Sequence, residues 1–255
     1  MFVSDIFTDS NGKPRTLKGV SILSGSARLA ELAGLVGFDV VWVDMEHGSS
    51  DFNNAESICV SGQAAGIIPL IRTCDSQRTH ILRSLEAGAK IIVVPMVNDA
   101  ETVRKVVEYG KFPPLGNRGY NTRSRAVKYG IQGCSAFARA NEETHLFVQV
   151  ETMEAVRNLD EICAVQGISG IFIGPGDLSA NLGIPGEFHN SQLIEVVVSC
   201  IQRSRKTGKH AGILVGAGEM LQEAIKAGAD IIICGGDIAD LSAAWKNLLE
   251  KVAVL

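Results

Sequence analysis

The chain has no C-x-x-C pair, no long apolar run and no excess of basic charge, and each absence removes a class of function. Its six cysteines (Cys59, Cys74, Cys134, Cys163, Cys200 and Cys234) lie far apart in 255 residues. That spacing supports neither a disulfide framework nor a zinc site, so reduced thiols in a cytoplasmic protein are expected. Cys200 beside a valine triplet and Cys234 after Ile231-Ile232-Ile233 are predicted to be buried. No apolar run approaches the ~18–20 residues that a membrane helix requires. Between Met1 and Thr16 stand Asp5, Asp9, Ser10 and Asn11, where a secretory signal would have a basic start and an apolar stretch. A net charge of -4 argues against nucleic-acid or anionic-membrane partners.

Two chemical devices are missing as well. A Schiff-base aldolase needs a lysine in a desolvated mouth, but no lysine directly follows an apolar strand. Lys18, Lys90 and Lys209 lie at or before strand starts, and Lys105, Lys206, Lys226, Lys246 and Lys251 fall on helical patterns. Gly216-Ala217-Gly218 lacks the third glycine and the following acid of a dinucleotide fingerprint, and a tight turn explains it.

What is present is a set of apolar runs that each end on a polar residue fit for chemistry. Val40-Val41-Trp42-Val43 runs into Asp44-Met45-Glu46-His47, and Ile67-Ile68-Pro69-Leu70-Ile71 into Arg72. Leu146-Phe147-Val148 runs into Gln149-Val150-Glu151, and Ile171-Phe172-Ile173 into Gly174-Pro175-Gly176-Asp177. Strands buried on both faces read as continuous apolar runs, and parallel α/β folds place their chemistry at the carboxyl ends of such strands.

A weak repeat joins these runs: a helical segment, a glycine, a few residues, then an apolar strand. It recurs at Gly37, Gly88, Gly167 and Gly228, where glycine suits a left-handed helix C-terminus. With shorter runs at Val20–Leu23 and Ala211–Val215, eight strands alternate with helical patterns near Ala27–Val36, Asn53–Ala65, Gln77–Ala87, Asp99–Tyr109, Met153–Val165, Gln192–Thr207, Glu219–Ala227 and Ile238–Lys251. Eight alternating units in this length predict one (β/α)8 TIM barrel, with an open doubly wound sheet as the alternative. Lys111 to Asn141 breaks the rhythm. It holds Arg118, Arg123, Arg125 and Lys128, which either grip an anionic substrate or belong to a surface or subunit contact.

Glu151 and Asp177 end neighbouring strands, and paired hard oxygens with positions left to water and substrate suit Mg²⁺ or Mn²⁺. The competing explanation is that Glu151 caps the helix near Met153 and Asp177 caps a turn. His47 has the pKa range for general acid–base work, with Asp44 a candidate orienting partner. Otherwise it is a rim histidine, which suits His80, His145, His189 and His210 better. His145 and His210 precede strands, at the face opposite the chemistry. Arg72 is a permanent cation suited to a carboxylate or enolate oxygen, or else a structural ion pair.

At these residues the chain resembles the HpcH/HpaI aldolase family of metal-dependent pyruvate aldolases, from about Val20 to Leu241. The motifs are Asp44-Met45-Glu46-His47-Gly48, Arg72, Val94-Pro95-Met96-Val97, Pro113-Pro114-Leu115-Gly116-Asn117-Arg118-Gly119, Gln149-Val150-Glu151-Thr152, and Gly174-Pro175-Gly176-Asp177-Leu178-Ser179. The resemblance implies a barrel of the pyruvate/phosphoenolpyruvate superfamily that reversibly cleaves a 4-hydroxy-2-oxo acid to pyruvate and an aldehyde. It implies a divalent cation (Mg²⁺, Mn²⁺ or Co²⁺) on Glu151 and Asp177, and an enolate steadied by Arg72. His47, with Asp44, would move the proton, while Gln149, Gly176, Asp177 and Leu214 would hold substrate. It also implies one domain over residues 1–255, with an arm at 1–17 and a C-terminal helix at 238–255 packed on a neighbour in a homo-oligomer, a hexamer. Departures at Ser21, Gly48 to Ser50 and Tyr120 to Arg123 fall where the aldehyde would bind. An acyl-CoA carbon–carbon lyase, an oxaloacetate decarboxylase and an inactive scaffold are the alternatives.

Overall fold

Side-chain parity along the strands decides the architecture. In the computed structural model, which describes residues 5–131, 133 and 135–253, eight strands pair in parallel in sequence order and close on themselves. They are β1 (Leu17–Ile22), β2 (Val40–Asp44), β3 (Ile68–Arg72), β4 (Ile91–Val94), β5 (His145–Val150), β6 (Gly170–Ile173), β7 (His210–Leu214) and β8 (Ile231–Gly236). Alternate residues point to opposite faces. Val40, Trp42, Leu70, Ile91, Val93, Phe147, Phe172, Ile231 and Ile233 fill the barrel interior. Their neighbours Val41, Val43, Ile71, Ile92, Val94, Val148, Ile171 and Ile213 pack outward against the helices. Both sets are buried, which is why the strands show no polar alternation. Closure excludes the open sheet.

The predicted helices form with boundaries within two residues in most cases: α1 (Ala27–Val36), α2 (Phe52–Ala64), α3 (Arg78–Glu86), α4 (Ala100–Gly110), α9 (Ser191–Lys206), α10 (Glu219–Ala227) and α11 (Asp237–Val252). Asp51 caps α2 and Asp99 caps α4 through the N–H groups of Asn54 and Thr102. Gly37 and Gly228 end α1 and α10 in the left-handed region, at φ 105° and 93°. The segment expected as one helix over Met153–Val165 is two, α6 (Met153–Arg157) and α7 (Leu159–Ala164), meeting at Asn158. Asn158 donates from its side chain to the carbonyl of Asn98 there.

Two short helices were not expected, α5 (Ser135–Glu143) and α8 (Pro175–Asn181). The excursion from Lys111 is therefore not one loop: a 3-10 turn at Arg125–Gly130 and α5 pack around Phe112, Val127, Ala136 and Ala140. Below the barrel, residues 5–16 fold under its floor. Phe7 is buried, stacked on His210 at 3.7 Å between ring centres and edge-on to His145 at 5.3 Å. Both histidines thus sit at the floor, away from the mouth. Cys59, Cys74, Cys163, Cys200 and Cys234 are free thiols, and Cys134 lies outside the described residues. Cys200 is buried as expected, whereas Cys234 is only partly covered. No helix among the described residues is long and apolar enough to cross a membrane.

Candidate active site

The inward parity of the barrel, carried one or two residues past the apolar core, delivers the polar groups. Asp44 follows Val40 and Trp42 on the inner face, Arg72 follows Leu70, and Gln149 and Glu151 follow Phe147. Register then sets neighbours, because Asp44 of β2 lies directly beside Arg72 of β3. Arg72 Nε donates to Asp44 Oδ1 at 3.0 Å, and its Nη2 meets Asp44 Oδ2. Arg72 Nη1 lies 3.0 Å from Glu46 Oε2. The guanidinium is also 5.4 Å from the centre of the Trp42 ring.

The expected pairing of Asp44 with the His47 ring does not form. Besides Arg72, Asp44 Oδ1 accepts the backbone N–H groups of Glu46 and His47, so the carboxylate is fully engaged. Burial pushes the Asp44 carboxyl up, but the hydrogen bonds and charge of Arg72, with those two N–H groups, more than offset it and hold it below its ordinary value. The His47 side chain is 64% exposed, and its Nε2 stands 4.0 Å from Glu46 Oε2. Glu46 is thus the carboxylate beside the imidazole, and burial raises its pKa despite Arg72 and His47. Its signal was in the sequence, two residues beyond Asp44 and on the same parity.

Glu151 lies buried two strands on from Arg72, just beyond Val150 of β5. Its Oε1 accepts the backbone N–H of Met96 at 2.6 Å, and its Oε2 accepts Gln149 Nε2. Burial raises its pKa; those two donors oppose the rise, and the charges of Glu46 and Asp177 reinforce it. The capping explanation fails for both acids. Thr152, not Glu151, caps α6 by accepting from Ala155 N–H, and Asp177 sits inside the first turn of α8 with no side-chain cap bond.

The donor set fits a divalent cation in its chemistry. Asp177 is close enough to raise the cost of ionising Glu151, and a cation between such groups relieves that repulsion. Gln149 Oε1 is buried without a hydrogen-bond partner. Gly174 keeps the space open, because a Cβ there would stand 2.8 Å from both Gln149 Nε2 and Glu151 Oε2. Among the described residues no three His, Cys, Asp or Glu side chains form a cage, so a bound ion would complete its shell with substrate and water.

A cavity of about 410 Å³ opens at the mouth. Arg72, Gln149, Gly176, Asp177 and Leu214 line it, so five of the expected residues converge on one space. The cations of the Lys111–Asn141 segment do not line it. Lys111 Nζ donates to the carbonyls of Asn141 and Thr144, Arg118 lies over Phe112, and Arg125 bonds Gln63. The first two contacts hold the excursion to itself and the third ties it to α2, which leaves the anion-gripping option without support. Phe188, His189 and Glu219 also line the cavity and were not foreseen. The sequence places His189 with the rim histidines, and no sequence signal marks it, because it follows α8, itself unforeseen.

A sequence model of the HpcH/HpaI aldolase/citrate lyase family matches residues 19–244. Over 236 residues the chain is 35% identical to 2-keto-3-deoxy-L-rhamnonate aldolase of Salmonella paratyphi B, an alignment that covers 92% of this chain and 88% of the relative. It is similar to the crystal structure of an HpcH/HpaI aldolase from Desulfitobacterium hafniense DCB-2, with a TM-score of 0.88 at 27% identity over 94% of each chain. It is also similar to an HpcH/HpaI aldolase/citrate lyase family protein from Burkholderia cenocepacia J2315, with a TM-score of 0.87 at 26% identity over 94% of this chain and 95% of that one.

Proposed function

The chain belongs to the HpcH/HpaI aldolase/citrate lyase family, and on that premise we propose that it is a divalent-metal-dependent aldolase that reversibly cleaves a 4-hydroxy-2-oxo acid to pyruvate and an aldehyde. The observation that carries this reading is the convergence of Arg72, Gln149 and Asp177 on one cavity beside the buried Glu151. Glu151 and Asp177 would hold Mg²⁺, Mn²⁺ or Co²⁺. When bound, the cation supplies Lewis acidity toward the pyruvyl oxygens.

The residues divide the remaining work. Cleavage breaks the C3–C4 bond, removes the proton of the C4 hydroxyl and leaves the bonding electrons on the pyruvate enolate. Arg72, immobilised by Asp44 and Glu46, steadies the developing negative oxygen with no reorganisation of its own. His47, exposed at the rim beside Glu46, takes the hydroxyl proton. Gln149 and the backbone at Gly176 and Asp177 hold the pyruvyl end, and Leu214 covers its methyl carbon. An acyl-CoA lyase or an oxaloacetate decarboxylase on the same barrel has less support, since the relative at 35% identity is named an aldolase.

The same reading includes a homo-oligomer in the cytoplasm, a hexamer by family resemblance. What supports assembly is α11, where Ile238, Trp245, Leu248, Leu249 and Val252 are each more than half exposed. The test of the function is a pyruvate-release assay on 4-hydroxy-2-oxo acids. Chelation should abolish release and added Mn²⁺, Mg²⁺ or Co²⁺ restore it; release that persists undiminished after chelation would sink the proposal. Glu151→Ala should lose cation binding by calorimetry. His47→Ala should keep it and lose roughly 10²–10⁴-fold in rate, the span of a positioned acid–base group.

A further inference from the structure

Among the described residues three that are not glycine have a left-handed backbone, and one of them stands at the acids of the mouth. Lys128 and Tyr129 belong to the 3-10 turn of the excursion, whereas Met96, at φ 54°, lies just beyond β4. A non-glycine residue persists in that region only where its surroundings over-determine the backbone, and such residues gather at functional sites. The surroundings of Met96 do so on both sides. Pro95 has no N–H, so the first backbone donor beyond β4 is that of Met96, and it is given to Glu151 Oε1 at 2.6 Å. Immediately after it, Val97 is fully buried and Asn98 is clamped twice. The Asn98 side-chain oxygen accepts Thr152 Oγ1 at 2.6 Å, and its carbonyl accepts Asn158 Nδ2 at 2.8 Å. The Met96 side chain, by contrast, is 55% exposed and is not among the described residues that line the mouth cavity. What Met96 contributes is therefore its backbone.

Resting on the metal-dependent aldolase reading above, we infer that Met96 is a positioning residue for the cation site. Its left-handed turn holds one backbone N–H on Glu151 and thereby fixes which way that carboxylate faces. Glu151 has two anchors, Met96 N–H on Oε1 and Gln149 Nε2 on Oε2. Gln149 reaches it through a flexible side chain of the same strand, so Met96 supplies the anchor from the neighbouring strand. A carboxylate that must be ordered when the cation arrives binds it more weakly than one already held. The same bracket reaches the second acid. Met153 N–H donates to Asn181 Oδ1 at 2.8 Å, which ties the start of α6 to the end of α8, the helix that carries Asp177. Glu151 and Asp177 are thus registered to one another through the βα connections that follow their strands.

The test measures Mn²⁺ affinity by calorimetry across substitutions ranked by their tolerance of a left-handed backbone. Met96→Gly and Met96→Asn can keep the present φ and should bind as the wild type does. Met96→Val and Met96→Ile cannot, and should weaken binding by roughly 10–100-fold, the usual loss when a group that orients a metal ligand is removed. Denaturant midpoints report separately on folding; a purely structural Met96 would move them and leave the Mn²⁺ affinity alone. Amide hydrogen exchange at Met96 gives a second measurement that needs no β-branched variant. The N–H should be protected in the wild type and exchange roughly tenfold faster or more in Glu151→Ala, where its charged acceptor is gone. Three outcomes overturn the inference: folded Val and Ile variants with wild-type affinity, Gly and Asn variants that weaken as much as those two, or equal exchange in Glu151→Ala. Pyruvate release by the Mn²⁺-loaded wild type separates the two levels of failure. Release alongside any of those outcomes removes only the role of Met96. A wild type that neither binds Mn²⁺ nor releases pyruvate removes the aldolase reading and the inference with it.

Discussion

Two arginines of this chain are nearly equally buried, and they live in opposite electrostatic circumstances. Arg72 at the mouth and Arg118 in the Lys111–Asn141 excursion are 8% and 4% exposed, and each lies over an aromatic ring, Trp42 or Phe112. Arg72 has two carboxylates within ion-pair distance. Arg118 forms no salt bridge among the described residues, and its Nε and Nη2 are buried without hydrogen-bond partners. Burial pulls the Arg118 pKa down to about 10, opposed by the charge of Glu86. A guanidinium held by two acids is a fixed charge ready to meet a substrate oxygen. One pressed against a phenyl ring of its own segment packs that segment's interior. The same residue type therefore carries chemistry in one place and architecture in the other.

The sharpest way to break this contrast is to remove the paired cation. Arg72→Met should cost about 3–5 kcal/mol in denaturant unfolding, because Asp44 is left as an uncompensated buried charge. Activity should fall by at least the roughly 10²–10³-fold lost with one preorganised oxyanion donor. Adding Asp44→Leu should recover most of the stability and none of the activity, which separates the ion pair's structural role from its catalytic one. Recovery of activity in the double variant would show that Arg72 serves only to neutralise Asp44.

A second test uses pH, because the two regions titrate in different windows: the shift at Asp44 adds stability near neutral pH, whereas the shift at Lys111 subtracts it there. The folded pKa of Asp44 lies below its ordinary value, so its contribution is present above that value of 3.8 and is lost as pH falls through the folded pKa. Lys111, in the excursion, is pulled down to about 8 from 10.5 by burial, with the charge of Arg118 adding to the effect. Between about 8 and 10.5 the unfolded chain binds more protons at this residue than the folded one, so stability should rise with pH there. Denaturant unfolding at pH 7.5 and 10 should show that rise in the wild type and a flatter profile in Lys111→Met. An equal slope in both proteins would remove Lys111 as its source.

The smallest effect is expected from Arg118→Met. Replacing an unpaired buried charge by an apolar chain of similar length should leave stability within about 1 kcal/mol, or raise it. Cleavage kcat/KM should stay unchanged. A large fall in kcat/KM would place Arg118 among the groups that meet substrate and erase the distinction drawn above.

How much of this was legible beforehand varied with the range of the interaction. Strand ends were legible because burial on both faces forces continuous apolar runs, so the first polar residue of each run announces the mouth. Helix ends at Gly37 and Gly228 were legible because a left-handed terminus favours glycine. The partner of Asp44 was not. Sequence proximity pointed to His47, three residues away, whereas strand register brought Arg72 from 28 residues further on. The cations after Lys111 stayed undecided for a related reason: an arginine is equally visible in a sequence whether it meets a carboxylate, a carbonyl or a ring. Phe188, His189 and Glu219 carried no signal, since the turn through α8 that brings two of them over the cavity had not been foreseen.

By itself the sequence determined the barrel, the count and order of its units, and the set of strand ends from which the chemistry is drawn. These follow from local rules, hydrophobic period and glycine conformation, that act over a few residues. Only the tertiary structure decided which acid holds Arg72, which acid stands beside His47, and which residues line the cavity. Those outcomes depend on the register of adjacent parallel strands and on the path of the βα connections, both set by closure of the whole barrel.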